Sequence, residues 1–275
     1  MTSNDDPADY LRKLGESGDG PHDIAMAALM FAALDHSARP LPPYRAHLDE
    51  IADVAHAEMR FAHSTEDAAR TLARLFVGRY GYDGDRMSYD DPQNADLIAV
   101  IDRRRGLPVA LGILYIHAAR AGDFEAAGLN SPGHFLLRIA GKGGEALIDP
   151  FNGGAALDRE RLGGPPAMGA PTPEDPHYTE PVCDTDVLLR LQNNVKLRAL
   201  QTGAPTRALE VAKRMVLLAP KRAELWIDLA RLNEASGALG AAQKAYEACL
   251  SLAGSADSLH NEAALGLLGL KRRLN

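Results

Sequence analysis

The chain has 275 residues, 46% of them hydrophobic, and carries a formal net charge of −7 with a pI near 5.7. That length allows one large or two modest domains with a real core, and the apolar fraction is that of an ordinary globular protein. The acidity leaves no electrostatic footprint for nucleic acid or anionic lipid, and no apolar run reaches the length of a membrane span. Two cysteines, Cys183 and Cys249, are too few for a disulfide framework or a four-thiolate zinc site. The opening "MTSNDDPADYLRKLGESGDGPHD" is acidic and glycine-rich, the reverse of a signal peptide, so a cytoplasmic location is expected.

Residues 1–20 offer little to bury and read as a flexible tail. "HDIAMAALMFAALDH" reads as a strongly apolar helix, closed by "SARPLPP", whose prolines forbid continuation. In "YRAHLDEIADVAHAEMRFA", Leu48, Ile51, Ala52 and Ala55 fall at helical spacing. Ser64, followed by Glu66 and Asp67, caps a third helix over "EDAARTLARLFVGRYG". These three form an N-terminal helical bundle. "YGYDGDRMSYDDPQNAD", dense in Gly, Asp, Tyr and Asn, reads as a loop. In "LIAVIDRRRGLPVALGILYIHAARAG", Pro108 suits a first helical turn and Gly122 a left-handed stop. Between them Val109, Leu111, Ile113, Leu114, Ile116 and Ala119 point in nearly every direction, which marks a buried helix at the centre of the main domain.

Two strands follow. In "HFLLRIA", Phe135, Leu137 and Ile139 alternate with His134, Leu136 and Arg138. In "EALID", Ala146 and Ile148 alternate with Leu147 and Asp149, and "GKGG" supplies the turn between the runs. If Ile139 pairs with Gly144, His134 lies directly opposite Asp149; if Ala140 pairs with Glu145, the two are diagonal neighbours. Either register sets them on one face, which favours a contact between imidazole and carboxylate.

"GGPPAMGAPTPEDPHYTEP" is rich in proline without periodicity, so residues 163–182 are expected to be a linker or a strap over the core. From 183 to 275 the chain reads as helical and repeats. At an offset of 34 residues, "GAPTRALEVAKRMVLLAP" aligns with "GALGAAQKAYEACLSLAG". Gly203 falls on Gly237, Ala204 on Ala238, Ala208 on Ala242, Leu218 on Leu252 and Ala219 on Ala253. Small residues where two helices cross, at this period, resemble tetratricopeptide repeats. "VLLRLQNNVKLRALQTG" and "AELWIDLARLNEASG" fit as first helices of the pairs, and "SLHNEAALGLLGLKRRL" as a closing helix.

The runs "YDDPQNADLIAVIDRRRGLPVALGILYIHAARAG", "SPGHFLLRI" and "LIDPFNGG" together resemble the SirB-type family, the second core type of the transglutaminase-like superfamily. The resemblance spans residues 80–160. It implies an α+β, mostly helical chain: over residues 21–162 the helical bundle plus a core of a buried helix on a small antiparallel sheet, ahead of tetratricopeptide-like hairpins. It also implies that His134 and Asp149 match the second and third members of a Cys–His–Asp triad. The thiol of such a triad stands at the start of the buried helix, where the helix charge and an imidazolium activate it. Here Val109 and Ala110 occupy that place, and neither can attack a substrate.

The reading that follows is a catalytically silent transglutaminase-like domain that binds a protein or peptide partner through its repeat helices, with no nucleic acid or membrane partner, no cofactor and no metal. Asn94, His134, Asp149, Asn152 and Gly153 are the candidate binding residues. The alternative is a hydrolase or acyltransferase that uses His134 and Asp149 with another nucleophile. Ser131 is too near His134 in the chain to reach across its ring, and Cys183 lies outside the core motif beside Asp184 and Asp186. For His134 and Asp149 the plainer expectation is a buried hydrogen bond that holds two strands in register. His117 is expected to be a satisfied core histidine. Arg103, Arg104 and Arg105 should serve as partners for local acids, and the acidic loop at Asp83, Asp85, Asp90 and Asp91 lacks the spacing of an EF-hand.

Overall fold

The structure is a computed structural model that describes residues 6–129, 135–141, 143–157 and 180–274. It divides into two units: residues 20–191, and residues 192–275 together with 1–19.

The first unit begins with α2 (Ile24–Ala33), α3 (Pro42–Met59) and α4 (Thr65–Ala73), followed later by α5 (Leu97–Arg103) and α6 (Pro108–Ala121). Leu107 is extended before Pro108, whose fixed φ and missing N–H suit the first position of α6. From Val109 to Ala119 nearly every residue of α6 is buried, as its all-round apolarity requires. Ser64 caps α4 by accepting the Asp67 N–H at 3.2 Å. The third helix departs from expectation at its end, where α4 gives way to a π-helix over Arg74–Arg79. Gly122 also departs: its φ is −86°, and the left-handed residue is Asp123. Gly122 is needed for closeness instead, because a Cβ there would lie 2.5 Å from the Met59 sulfur.

Five strands make one antiparallel sheet in the order β6-β5-β4-β3-β7: β3 (Glu125–Leu129), β4 (Leu137–Gly141), β5 (Gly144–Asp149), β6 (Ala155–Leu157) and β7 (Pro181–Val182). Ala140 stands opposite Glu145 and Leu137 opposite Ile148, the second of the two registers that the sequence allows. Alternation places Phe135, Leu137 and Ile139 on the face toward α6. Phe135 fills a slot made by two glycines, since a Cβ on Gly112 would come within 2.3 Å of its ring and one on Gly128 within 2.8 Å. The opposite face is covered too, with Leu129, Leu136 and Leu147 buried together beside Leu157. That second small core explains why Leu136 and Leu147 break the apolar–polar alternation of a one-sided sheet. β3 and β7 were not foreseen, and Pro181 and Val182, expected in the linker, pair with Leu129 and Gly128. The rest of the linker, residues 163–179, lies outside the described residues. The expected loop after Tyr80 holds a parallel two-residue pairing of β1 (Asp83–Gly84) with β2 (Arg105–Gly106) and a short 3-10 helix over Pro92–Ala95.

The second unit contains α8 (Pro205–Leu218), α9 (Ala223–Ala235), α10 (Leu239–Leu252) and α11 (Ser258–Leu274); α7 (Asp184–Gln201) is a continuous helix within which the division between units falls. α8 and α10 begin at positions one repeat apart, Gly203 and Gly237 both take positive φ (71° and 78°), and Ala208 and Ala242 are fully buried. A chain of ion pairs links the first helices of successive repeats: Lys196 with Asp228 at 2.6 Å, Asp228 with Arg231 at 3.8 Å, and Arg231 with Glu262. The expected N-terminal tail is helical over α1 (Pro7–Ser17), capped by Asp6. It packs on α8, with Leu11 fully buried and Gly15 against the Leu217 carbonyl, where a side chain would not fit.

Candidate functional site

The turn after β5 organises the candidate site. Asp149 ends the strand and Pro150 starts a 3-10 helix over Pro150–Asn152 that packs on α6. The Asp149 carboxylate caps that helix. Its Oδ1 accepts the Phe151 and Asn152 N–H groups at 2.9 and 3.2 Å, and its Oδ2 accepts the Asn152 side-chain amide at 2.6 Å. Asp149 is 7% exposed, and its own carbonyl accepts the Gly154 N–H at 2.8 Å. Gly153 and Gly154 both take positive φ, and a Cβ on Gly154 would lie 2.8 Å from the Tyr115 hydroxyl. The local turn thus engages both carboxylate oxygens of Asp149. His134 and Ser131 lie outside the described residues.

Asn152 and Gly153 join Asp149 in this turn, and Arg86 clamps it from the neighbouring loop. Arg86 donates to the Phe151 carbonyl at 3.0 Å and to the Asn152 Oδ1 at 2.8 Å, and it pairs with Asp83 at 3.1 Å. Its guanidinium lies over the Phe151 ring, whose other neighbour is the edge of Tyr89.

Asn94 belongs to a second network. It is fully buried; its amide donates to the Ser88 carbonyl at 2.6 Å, its Oδ1 accepts from Arg103 at 3.1 Å, and its carbonyl accepts the Leu107 N–H at 2.8 Å. Arg103 also pairs with Asp85 at 2.8 Å, and the Asp85 carboxylate accepts the Ser88 N–H at 2.8 Å. The Ser88 N–H above all, then Asn94 and Arg103, hold the Asp85 carboxyl below the usual carboxylate range. Asn94 was expected on a pocket rim beside Asp149. Its hydrogen bonds brace the loop, the end of α5 and the start of α6.

Ala110 is fully buried at the third residue of α6, and Val109 beside it is 2% exposed. Tyr115, five residues on, was not singled out by sequence. It stacks on Phe76 of the π-helix with centroids 4.1 Å apart, and its buried hydroxyl has no hydrogen-bond partner among the described residues. Burial, with the charges of Asp83 and Asp149, keeps that hydroxyl protonated well above the ordinary range. His117 donates from Nε2 to the Leu48 carbonyl at 3.0 Å, which bridges α6 to α3. Cys183 donates to Asp186 at 3.0 Å. Among the described residues no group of three His, Cys, Asp or Glu side chains is placed to hold a metal ion, and no helix is long and apolar enough to cross a membrane.

The capping role of Asp149 had a signal that sequence reasoning missed. Asp6–Pro7, Asp91–Pro92 and Asp149–Pro150 each place an acceptor at the cap and a proline at the first helical position, and all three cap helices.

Comparison with known proteins agrees with this architecture. Residues 42–193 match the model of a family described as the transglutaminase-like superfamily, and residues 195–264 match a tetratricopeptide repeat model. A UPF0162 protein of Xylella fastidiosa (strain Temecula1) is 31% identical over 225 residues, 77% of this chain and 80% of that one. Protein SirB1 of Salmonella typhimurium is 30% identical over 116 residues, 42% of this chain and 43% of that one. A solved structure of menin covers 94% of this chain and 73% of that one at 10% identity, with a TM-score of 0.39, which is too low to carry an argument. The chain belongs to the SirB-type family of the transglutaminase-like superfamily, with a tetratricopeptide region following its core.

Proposed function

We propose that this protein is a catalytically silent transglutaminase-like module that acts by binding a protein or peptide through its tetratricopeptide helices. The observation that carries the reading is Ala110, a fully buried methyl group at the start of α6, where the family resemblance calls for an attacking thiol. A general base has no use without a nucleophile within hydrogen-bond reach. Neither cysteine supplies one: Cys183 is engaged with Asp186, and burial pushes the Cys249 thiol up and away from the reactive thiolate.

Stacked helical repeats give extended surfaces suited to a peptide or partner helix. The test is chemical. Purified full-length protein is incubated with amide and ester substrates and with thiol- and serine-reactive probes, beside the His134→Ala variant. No labelling or turnover that depends on His134 is expected. Turnover present in the native protein and lost in that variant overturns the proposal.

A further inference from the structure

His47 sits on α3 between two donors that converge on one nitrogen. Its Nε2 is 2.9 Å from the Tyr82 hydroxyl, and an Arg104 N–H points at the same atom. Arg104 also donates to the Tyr82 hydroxyl, and its guanidinium lies 4.7 Å over the Tyr82 ring. An imidazole nitrogen that receives an arginine N–H must carry a free lone pair, so this arrangement demands neutral His47. Tyr82 can turn its hydroxyl and accept a proton-bearing Nε2. Arg104 cannot, because it has donors only and a fixed charge.

We propose that His47, Tyr82 and Arg104 form a pH-responsive latch, in which protonation of His47 expels Arg104 and loosens the corner that holds the Asp149 turn. The connection is direct. The Arg104 carbonyl accepts the Asp83 N–H at 3.1 Å, which pairs β1 with β2, and Asp83 in turn holds Arg86 on Phe151 and Asn152. Arg104 itself sits in the left-handed region at φ 58°, which only its surroundings enforce.

The other groups facing His47 are accounted for. Glu50, on the same helix, is 3.9 Å from Nδ1 and would welcome the proton, but it is shared with the Tyr80 hydroxyl at 3.1 Å and with Arg79 at 3.9 Å. Tyr80 meets the imidazole edge-on, with centroids 5.3 Å apart. Asp102, whose charge is felt by Tyr82, is held by Arg39 and Tyr44. Burial first, then the Arg104 charge, pull the His47 pKa below its ordinary value against the smaller opposing pull of Glu50. The opened form, with an ordinary histidine, therefore binds the proton more tightly than the closed one. The latch is complete above about pH 6.5 and weakens as pH falls below it, by up to about tenfold in the opening equilibrium per pH unit until the closed-state pKa is passed.

The test does not depend on the silent-module reading. Imidazole NMR on the full-length protein follows the His47 titration, and hydrogen exchange, corrected for intrinsic rates, follows residues 82–88 and 104–107. A His47 midpoint below about 6.5, with exchange in both segments rising severalfold between about pH 7.5 and pH 5, is expected. His47→Gln, whose carbonyl still accepts from Arg104 without titrating, should flatten that rise. A midpoint at or above the ordinary value, or the same rise in His47→Gln, overturns the latch.

Discussion

The unit over residues 20–191 and the repeat unit reach buried interiors by different routes. In the repeat unit one pattern is used twice: small residues at the helix crossings, glycines at the helix stops, and ion pairs from one first helix to the next. In the first unit nothing repeats. Its centre is one apolar helix, and its periphery is tied by buried polar side chains that each serve several partners, as Asn94, Asp149 and Asp184 do. Asp184 is the extreme case. It is 3% exposed, takes both Arg120 nitrogens at 2.6 and 2.8 Å, and also accepts the His22 N–H at 2.8 Å. A repeat spreads its stability over many similar contacts, whereas this core concentrates it in a few single side chains.

The sharpest way to break that contrast is Phe135→Ala. Emptying the two-glycine slot should cost about 3–5 kcal/mol. Trp226, the single tryptophan, belongs to the repeat unit, so its fluorescence should hold its denaturant midpoint while circular dichroism shows an earlier transition. One shared, equally shifted midpoint would erase the distinction. Asp184→Ala leaves Arg120 partly buried without its partner and should cost about 3 kcal/mol by the same measurement. Asn94→Ala strands the Ser88 carbonyl and should cost about 1–3 kcal/mol, with faster hydrogen exchange at Leu107 as its local mark.

Ala242→Leu probes the other side of the comparison. Overpacking a helix crossing should cost about 1–3 kcal/mol and move the Trp226 transition; an unmoved transition would mean that the small residue is not needed there. The smallest effect concerns acid. The lowered Asp85 pKa means that its contribution is present above the ordinary carboxylate value and is lost as pH falls through the folded value. Asp85→Asn should therefore lower stability slightly at neutral pH and lessen the further loss below about pH 4.

How much was legible follows the same division. The repeat was readable because period 34 is a property of spacing, and α8 and α10 begin in that register. The buried helix was readable because apolarity on all sides admits no exposed face. The tail was misread because α1 is polar over most of its surface and buries only Leu11 and Gly15, against α8, a helix nearly two hundred residues away. β3 was missed because "EAAGL" carries no β-branched residue or clear alternation, and its strand state comes from pairing with β4.

The candidate site was legible as a set of residue types and not as a set of roles. Asn94 and Asp149 stood out as polar residues in an apolar setting; the groups that Asn94 serves depend on how loops fold over α6, whereas the cap made by Asp149 is local and was signalled by the proline after it. Tyr115 gave no sign at all, since a tyrosine on a buried helix looks like filler until its hydroxyl is found without a partner among the described residues.

Sequence by itself determined the helices, the repeat, the strand register to within two choices, and the methyl group at the head of α6, because each is a matter of local spacing or identity. Tertiary structure alone decided that Asn94 braces α6 and that His47 meets Arg104. Hydrogen-bond partners are chosen by distances of about 3 Å between atoms far apart in the chain, and no local pattern encodes those distances.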